Sequence, residues 1–432
     1  MTVTSLIKEG SKPKYPKRCN YVPKVLLAQR ACVELFPPVL HQAAILNEFS
    51  TATILDALSY NNSAAIQTPE NVNRIRVSLG QVSSPYTSLL NRANWLFQYA
   101  KEFRKGIFAG PDVVVAYEPE AASLLLSMKS RDQKIMRVVH LHEIPWKEHY
   151  AASITGSLAI RYMMKHLHRA DIVIVPDRHR GEFIQTTTRL NRPPITVMNC
   201  PRILPTTPES LLIPYLRHRG ITANRIVHYQ GAVNPDHYIE AIIKSMRFWP
   251  KDAVFTIVGD IDQQYLGQLK GLIAQEGVSK RVVFIGRVPY EKVFQYAVGA
   301  TVGICLLDTS RKNWEFSAGA SNKRFEYAAL GIPQVTNNGP GIQELFVDVG
   351  IASVADPDSV ENIGEKITQY LLNEFLATDA GLKARKLHLH CYNYEAQFQP
   401  VIEAVSIYLE SRYPNLKQRV PVALPEKLNN CR

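Results

Sequence analysis

The densest run of chemically capable side chains lies at residues 321–346, SNKRFEYAALGIPQVTNNGPGIQELF. Phe325, Ala328, Ala329 and Ile332 recur at helical spacing, which predicts a helix with one buried face. Ser321 stands at the N-cap position, after a loose stretch at 317–320. Lys323 and Glu326 are three apart and therefore neighbours on the helix surface. Gly331 and Pro333 stop the helix, and a strand follows. Open N–H groups at a helix start, with Lys323 beside them, suit a phosphate, and Glu326 one turn deeper suits sugar hydroxyls. The same spacing also fits a capped core helix carrying a surface ion pair, and spacing alone leaves both readings standing.

Such a segment has to be held by a larger frame, and the chain supplies one. Short β-branched runs at 24–29, 52–57, 112–117, 136–142, 171–175 and 195–199 alternate with helical patterns. A second series follows at 226–230, 253–258, 282–285, 301–307, 333–336 and 351–354. Strands apolar on both faces and alternating with helices form parallel sheets covered by helices. Two series predict an α/β chain of two doubly wound domains. Pro201, Pro205, Pro208 and Pro214 fall in a stretch without clear period, so 201–225 reads as the linker. The expected units are 1–205, 206–388, and a segment 389–432 that ends in a loose tail from 413.

The length of 432 residues is about three times a typical domain, in keeping with that division. With 46% apolar and 20% charged residues, collagen-like, disordered and disulfide-scaffold classes are excluded. Of the net charge of +12, residues 1–200 hold +10 (25 basic against 15 acidic). The first half is thus the part suited to an anionic partner. The six cysteines are scattered without a CxxC pair or zinc-ligand spacing, and read as reduced packing thiols of a cytosolic protein. The first 19 residues are basic without an apolar core and read as a loose arm, not a secretory signal.

The run SNKRFEYAALGIPQVT, followed by a Gly-rich loop and Glu344, resembles the donor-binding region of glycosyltransferase family 4. These are retaining enzymes of GT-B architecture, with two Rossmann-like domains facing a cleft. NRIVHYQGAV, DAVFTIVGD, RVVFIGRVPYEKVFQYA and ATVGICLL stand in the family's order. So, before the boundary, do RVVHLHEI, HRADIVIVPD and ITVMNCPR, and CYNYEAQ resembles the segment that leads the last helix back onto the first domain. The similarity spans roughly 110–410 and is strongest at 226–346. It implies transfer of a sugar from a nucleotide-sugar to a hydroxyl of a glycan or lipid-linked acceptor held by the first domain. No cofactor, metal or nucleic acid is implied; the nucleotide-sugar is a substrate. The expected setting is cytoplasmic, with peripheral association at the inner face of an anionic membrane.

By the same resemblance Glu326 would bind the donor ribose, and Ser321, Asn322 and Lys323 would lie near its diphosphate. Gly286, Arg287 and Val288 would hold the base, with Gly231 and Glu344 completing the donor side. His142 would stand near the transferred sugar, with Glu143 after it. Two departures mark this chain. A Glu common in the family eight residues before Glu326 is replaced by Ala318, and an Arg and a Lys common after the Gly231 equivalent are replaced by Ala232 and Tyr238. Either the diphosphate clamp is rearranged, with Lys323, Arg287, Arg311 or Lys312 as substitutes, or catalysis is impaired. A non-catalytic nucleotide-sugar-binding protein and a nucleotide-sugar 2-epimerase are the alternatives. Asp260–Asp262 and Asp356–Asp358 mimic a DxD metal motif and are discounted. Glu118 and Glu120 read as exposed loop carboxylates or acceptor contacts. The helical stretch 157–170 mixes apolar and basic residues, and fits a core-packed helix or one lying on a membrane.

Overall fold

The structure is a computed structural model, describing residues 21–57, 68–77, 88–128, 135–145 and 154–414. The basic arm and the tail beyond 414 lie outside the described residues. Strands β1 Lys24–Ala28, β2 Thr51–Ala57, β3 Asn73–Val77, β4 Val113–Tyr117, β5 Met136–His140, β6 Ile172–Val175 and β7 Ile195–Thr196 form one sheet in the order β3-β2-β1-β4-β5-β6-β7. Strands β8 Ile226–Gln230, β9 Val254–Val258, β10 Val282–Gly286, β11 Val302–Cys305, β12 Gln334–Thr336 and β13 Ala352–Val354 form a second, β10-β9-β8-β11-β12-β13. Every pairing is parallel. The order reverses beside β1 in the first sheet and beside β8 in the second, and at such points the strand ends open a crevice.

Alternate residues of each strand feed opposite cores. Val25, Leu27, Val113 and Val115 pack on helix α1 (Pro37–Asn47) and on the final helix, Tyr394–Arg412. Leu26, Ala28, Val114 and Val139 pack on α2 (Ser88–Phe108), α3 (Glu118–Ser127) and α4 (Ile154–His166). The last helix thus belongs to the first sheet, although the chain reaches it from the second. In the second sheet Val227, Phe255, Ile257 and Val335 bury against helices that include Ile239–Ser245 and Val360–Leu372.

The structure corrects several expectations. Strand β3, with two arginines among five residues, has no apolar run to reveal it. The proline-rich stretch holds a helix, Leu212–His218, whose Leu212 and Leu216 bury against Ile226, Val254 and Val283. Tyr413 is not loose: its ring stacks on Tyr21 at 4.3 Å and its hydroxyl donates to Asp112 at 2.8 Å. Ile160 and Met163 of α4 are buried in the core, so that helix does not lie on a membrane by its apolar side. Asp262 caps the helix Gln263–Gln275, accepting from the N–H of Gln264 and Tyr265, and Asp356 accepts from the N–H of Asp358. Cys32, Cys200, Cys305 and Cys391 are buried free thiols. Among the described residues no helix is long and apolar enough to cross a membrane.

Candidate active site

The C-terminal ends of the two sheets face each other. On the second sheet β8 ends in Gln230 and Gly231, and the helix Asn322–Ala329, here α5, begins beside them. Its Lys323 and Glu326 are both buried, so the surface ion pair is not what forms. Gln230 Nε2 donates to Glu326 at 2.5 Å, and Tyr290 hydrogen-bonds the same carboxyl group. Burial raises the Glu326 pKa against those two hydrogen bonds. Lys323 Nζ donates to the Tyr229 hydroxyl at 3.1 Å and lies 4.3 Å over that ring. Burial lowers its pKa, and among the described residues it forms no ion pair. A buried cation without a paired carboxylate is costly unless an anion joins it.

Gly231 (φ 118°) makes room for this lysine, because a Cβ there would stand 3.3 Å from Nζ. The next turn is tighter: a Cβ on Gly259 (φ 155°) would fall 1.7 Å from the Gly231 carbonyl oxygen. Gly286 ends β10 nearby and its carbonyl accepts from the Gly259 N–H at 3.0 Å. Arg287 lies exposed, 3.9 Å from Asp260. Ser321 does not cap α5 with its side chain; its hydroxyl lies 3.5 Å from Cys305 Sγ. The Ser321 side chain thus caps none of the first N–H groups of α5; the Arg324 N–H donates to the Ser321 carbonyl at 3.3 Å.

The stretch 317–320 is not loose. Its N–H at Gly319 donates to Asp177 at 2.9 Å, and Asn199 binds the Gly319 and Ala320 carbonyls at 2.8 and 2.9 Å. Ala318 is buried there, with Gly341 closely apposed. Arg180, also buried, donates to the carbonyls of His142, Asn313 (2.6 Å) and Phe316 (2.7 Å). It ties the His142 loop of the first sheet to the segment leading into α5. Asn313 returns the contact by accepting from the Ile144 N–H at 2.8 Å.

His142 follows β5. Its ring stacks on Tyr117 and Phe36 at centroid distances of 5.6 and 5.5 Å and lies 4.3 Å from His140. Burial, and then the Arg180 charge, pull its pKa down to about 3, so the imidazole is neutral. Its Nε2 is buried without a partner, as are His140 Nε2, His41 Nδ1, Gln29 Oε1 and Gln230 Oε1. Buried polar atoms are almost always paired, so these five at the facing strand ends have capacity left for a polar ligand. A line of contacts joins the two sides. Glu326 bonds Tyr290, whose ring neighbours His41 at 6.3 Å, and His41 lies 5.1 Å from Tyr394. The Tyr394 hydroxyl accepts from Gln42 at 2.7 Å, and Gln42 meets His140 at 2.8 Å.

Beside His142, a cavity of about 260 Å³ opens at the β1/β4 crevice, lined by Gln29, Arg30, Phe36, Glu118, Glu120 and Glu143. Glu118 and Glu120 are in the first turn of α3, not in an exposed loop; Glu120 pairs with Arg30, and Glu118 accepts from the His142 N–H at 2.7 Å. Glu344 is not gathered into the site. It is exposed at the rim, 3.1 Å from Arg178. Arg311 and Lys312 are engaged with Asp236 and Glu315 at 3.0 and 2.5 Å, whereas the buried Lys323 forms no ion pair among the described residues. Arg180, Gln42 and Tyr290 escaped the sequence reading. The signal for Tyr290 lay in a β-strand ending followed by a helix start, and Arg180 carried none.

Residues 218–387 match the family model of Glycosyl transferases group 1. No curated protein matches the sequence. Among solved structures, sucrose-phosphate synthase from Thermosynechococcus elongatus superposes with a TM-score of 0.67 at 15% identity, covering 91% of this chain and 99% of that one. HepE from Anabaena, in complex with UDP and glucose, gives 0.67 at 16% identity, covering 89% and 100%. A glycosyltransferase from Rickettsia africae gives 0.63 at 13%, covering 90% and 99%. The chain has the two-domain GT-B architecture.

Proposed function

We propose that this GT-B chain is a retaining, metal-independent glycosyltransferase of family 4 type, moving a hexosyl group from a nucleotide-sugar to an acceptor hydroxyl. The observation that carries the reading is the pair Lys323 and Glu326. Both are buried at the start of α5, inside the matched segment, and Glu326 is joined through Tyr290 to His41 of the first domain. Glu326, held by Gln230 and Tyr290, offers a carboxylate oxygen to ribose hydroxyls. Lys323 and the first N–H groups of α5 receive the diphosphate, replacing the clamp that Ala232 and Tyr238 lack. The glycosidic bond to the diphosphate breaks, a bond to the acceptor oxygen forms, and the acceptor proton leaves with the nucleoside diphosphate. Lys323 and the N–H groups stabilise charge as it develops on the leaving group. Neutral His142 gives or accepts a hydrogen bond at the sugar without adding a charge beside an oxocarbenium-like centre.

The acceptor enters the cavity of Gln29, Glu118, Glu120 and Glu143. Three carboxylates against one paired arginine repel an anion, so the group seated there is a neutral, hydroxyl-bearing one. The neighbour solved with UDP and glucose puts UDP-sugars first in a donor panel that also holds GDP- and ADP-sugars. Turnover assays with neutral and phosphorylated sugar acceptors test the reading. Free nucleotide with a new glycoside is the expected result. An altered sugar on an intact donor would mean an epimerase, and binding without turnover a non-catalytic protein.

A further inference from the structure

The turn 313–320 leads into α5, yet side chains of the first domain hold much of it. Arg180 donates to the carbonyls of Asn313 and Phe316 at 2.6 and 2.7 Å. Asp177 accepts from the Gly319 N–H at 2.9 Å, and the Asn199 side chain donates to the Ala320 carbonyl at 2.9 Å. The second domain adds Arg324, which donates to the Ser317 carbonyl at 2.8 Å. The two backbones also touch. A Cβ on Gly319 would fall 2.2 Å from the Pro176 carbonyl oxygen, just past β6. Gly319 has no positive φ that would itself require glycine, so the demand for it comes from the facing domain.

Arg180 reaches further than the turn. Its third contact is the His142 carbonyl, on the loop after β5. One planar group thus fixes two backbone segments that border the site from its two domains. The guanidinium is buried, and these three contacts all end on carbonyls. Burial lowers its pKa against the charges of Asp177, Glu143 and Glu118. An apolar side chain would fill the same space at a smaller desolvation cost, but could not direct three acceptors at once. We infer that Arg180 is a positioning residue for the sugar transfer: from the first domain it sets both the His142 loop and the turn that starts α5, and so brings the two halves of the site into register. The inference rests on the glycosyltransferase reading. It adds that donor affinity, carried by the second domain, depends on a first-domain side chain acting through the turn.

The test compares Arg180→Met, Arg180→Lys and Gly319→Ala with wild type, by steady-state kinetics on the donor that turns over best and by hydrogen exchange read segment by segment. Arg180→Met is expected to lower kcat roughly 10- to 100-fold and to raise donor KM as well, because both segments lose their tie. Arg180→Lys keeps the charge but not the fork, and is expected to restore part of that loss. Gly319→Ala wedges the turn off Pro176 from the opposite side and is expected to raise donor KM in the same direction. Exchange is expected to speed up at 142–144 and 313–320 while β8 and β9 keep their wild-type protection. Should Arg180→Met not fold, the other two variants carry the same test. Unchanged exchange at both segments overturns the inference whether or not the chain turns over. Faster exchange there with wild-type kcat and donor KM also overturns it, as does a uniform rise across the chain with a lowered thermal midpoint, the mark of a core tie. A wild-type chain that turns over no donor ends the glycosyltransferase reading, and this role with it.

Discussion

Burial moves the pKa values of Glu326 and His142 in opposite directions, because it favours the neutral form of each. The carboxylate is pushed toward its neutral form and kept useful by two hydrogen-bond donors, Gln230 and Tyr290. On the proposed reading, Glu326→Ala removes the acceptor for the ribose and strands both donors. The expected loss in nucleotide-sugar affinity is roughly 10- to 100-fold, the equivalent of about 1.5–3 kcal/mol for a hydrogen bond to a charged group, read by titration calorimetry. His142 is held neutral, with a pKa near 3. Its replacement by alanine is expected to lower kcat well beyond any change in KM if, as proposed, it stands at the reacting sugar. The wild-type kcat profile is expected to show no inflection from this residue between pH 5 and 8; an inflection lost in the alanine variant would contradict the neutral role.

At the level of elements, β8 and its loop depend on a contact that tolerates no side chain. Gly259→Ala forces a Cβ into the Gly231 carbonyl and is expected to cost about 3 kcal/mol or more, visible as a lowered denaturation midpoint. If its stability matches wild type, the packing of the two turns is wrong. This geometry also shows what the sequence could reveal. Twelve strands were legible, because a strand buried on both faces must be apolar throughout. β3 was not, since Arg74 and Arg76 face Glu34 and Asp56 and only Ile75 and Val77 are apolar in its second half. The helix Leu212–His218 was hidden by the prolines that flank and enter it. Lys323 and Glu326 were legible by type and spacing, whereas their burial was not, because it comes from Tyr229 and Tyr290, distant in the chain. The stretch 317–320 looked loose for the same reason: Asp177 and Asn199, which hold it, lie over a hundred residues away.

The whole molecule keeps an unusual number of imidazoles dry. Burial pulls His41, His142 and His237 down to about 3, and His228 and His388 to about 4, from 6.5. The folded state refuses a proton that the unfolded chain takes up below pH 6.5. Stability is therefore full above pH 6.5 and falls as pH drops toward those lowered values. His140, lowered as well, adds to these five, while Asp56, raised from 3.8 to about 6, and Glu326, also raised by burial, act in the opposite sense over part of that window. The thermal midpoint is expected to fall steadily from pH 6.5 to pH 4, and a flat curve would show that these histidines are not buried neutral. The return of the last helix to the first sheet has a mechanical result. The chain passes between the domains twice, and the two passages run side by side: Tyr394 N–H bonds the Pro201 carbonyl at 2.9 Å, Leu204 N–H bonds His388 at 3.0 Å, and Arg202 pairs with Glu395. A body tethered by one strand can swivel freely; one tethered by two laced strands bends about a single line. Were the domains to part, the far lip would be held to one arc, and closing would return Arg180 to the same carbonyls.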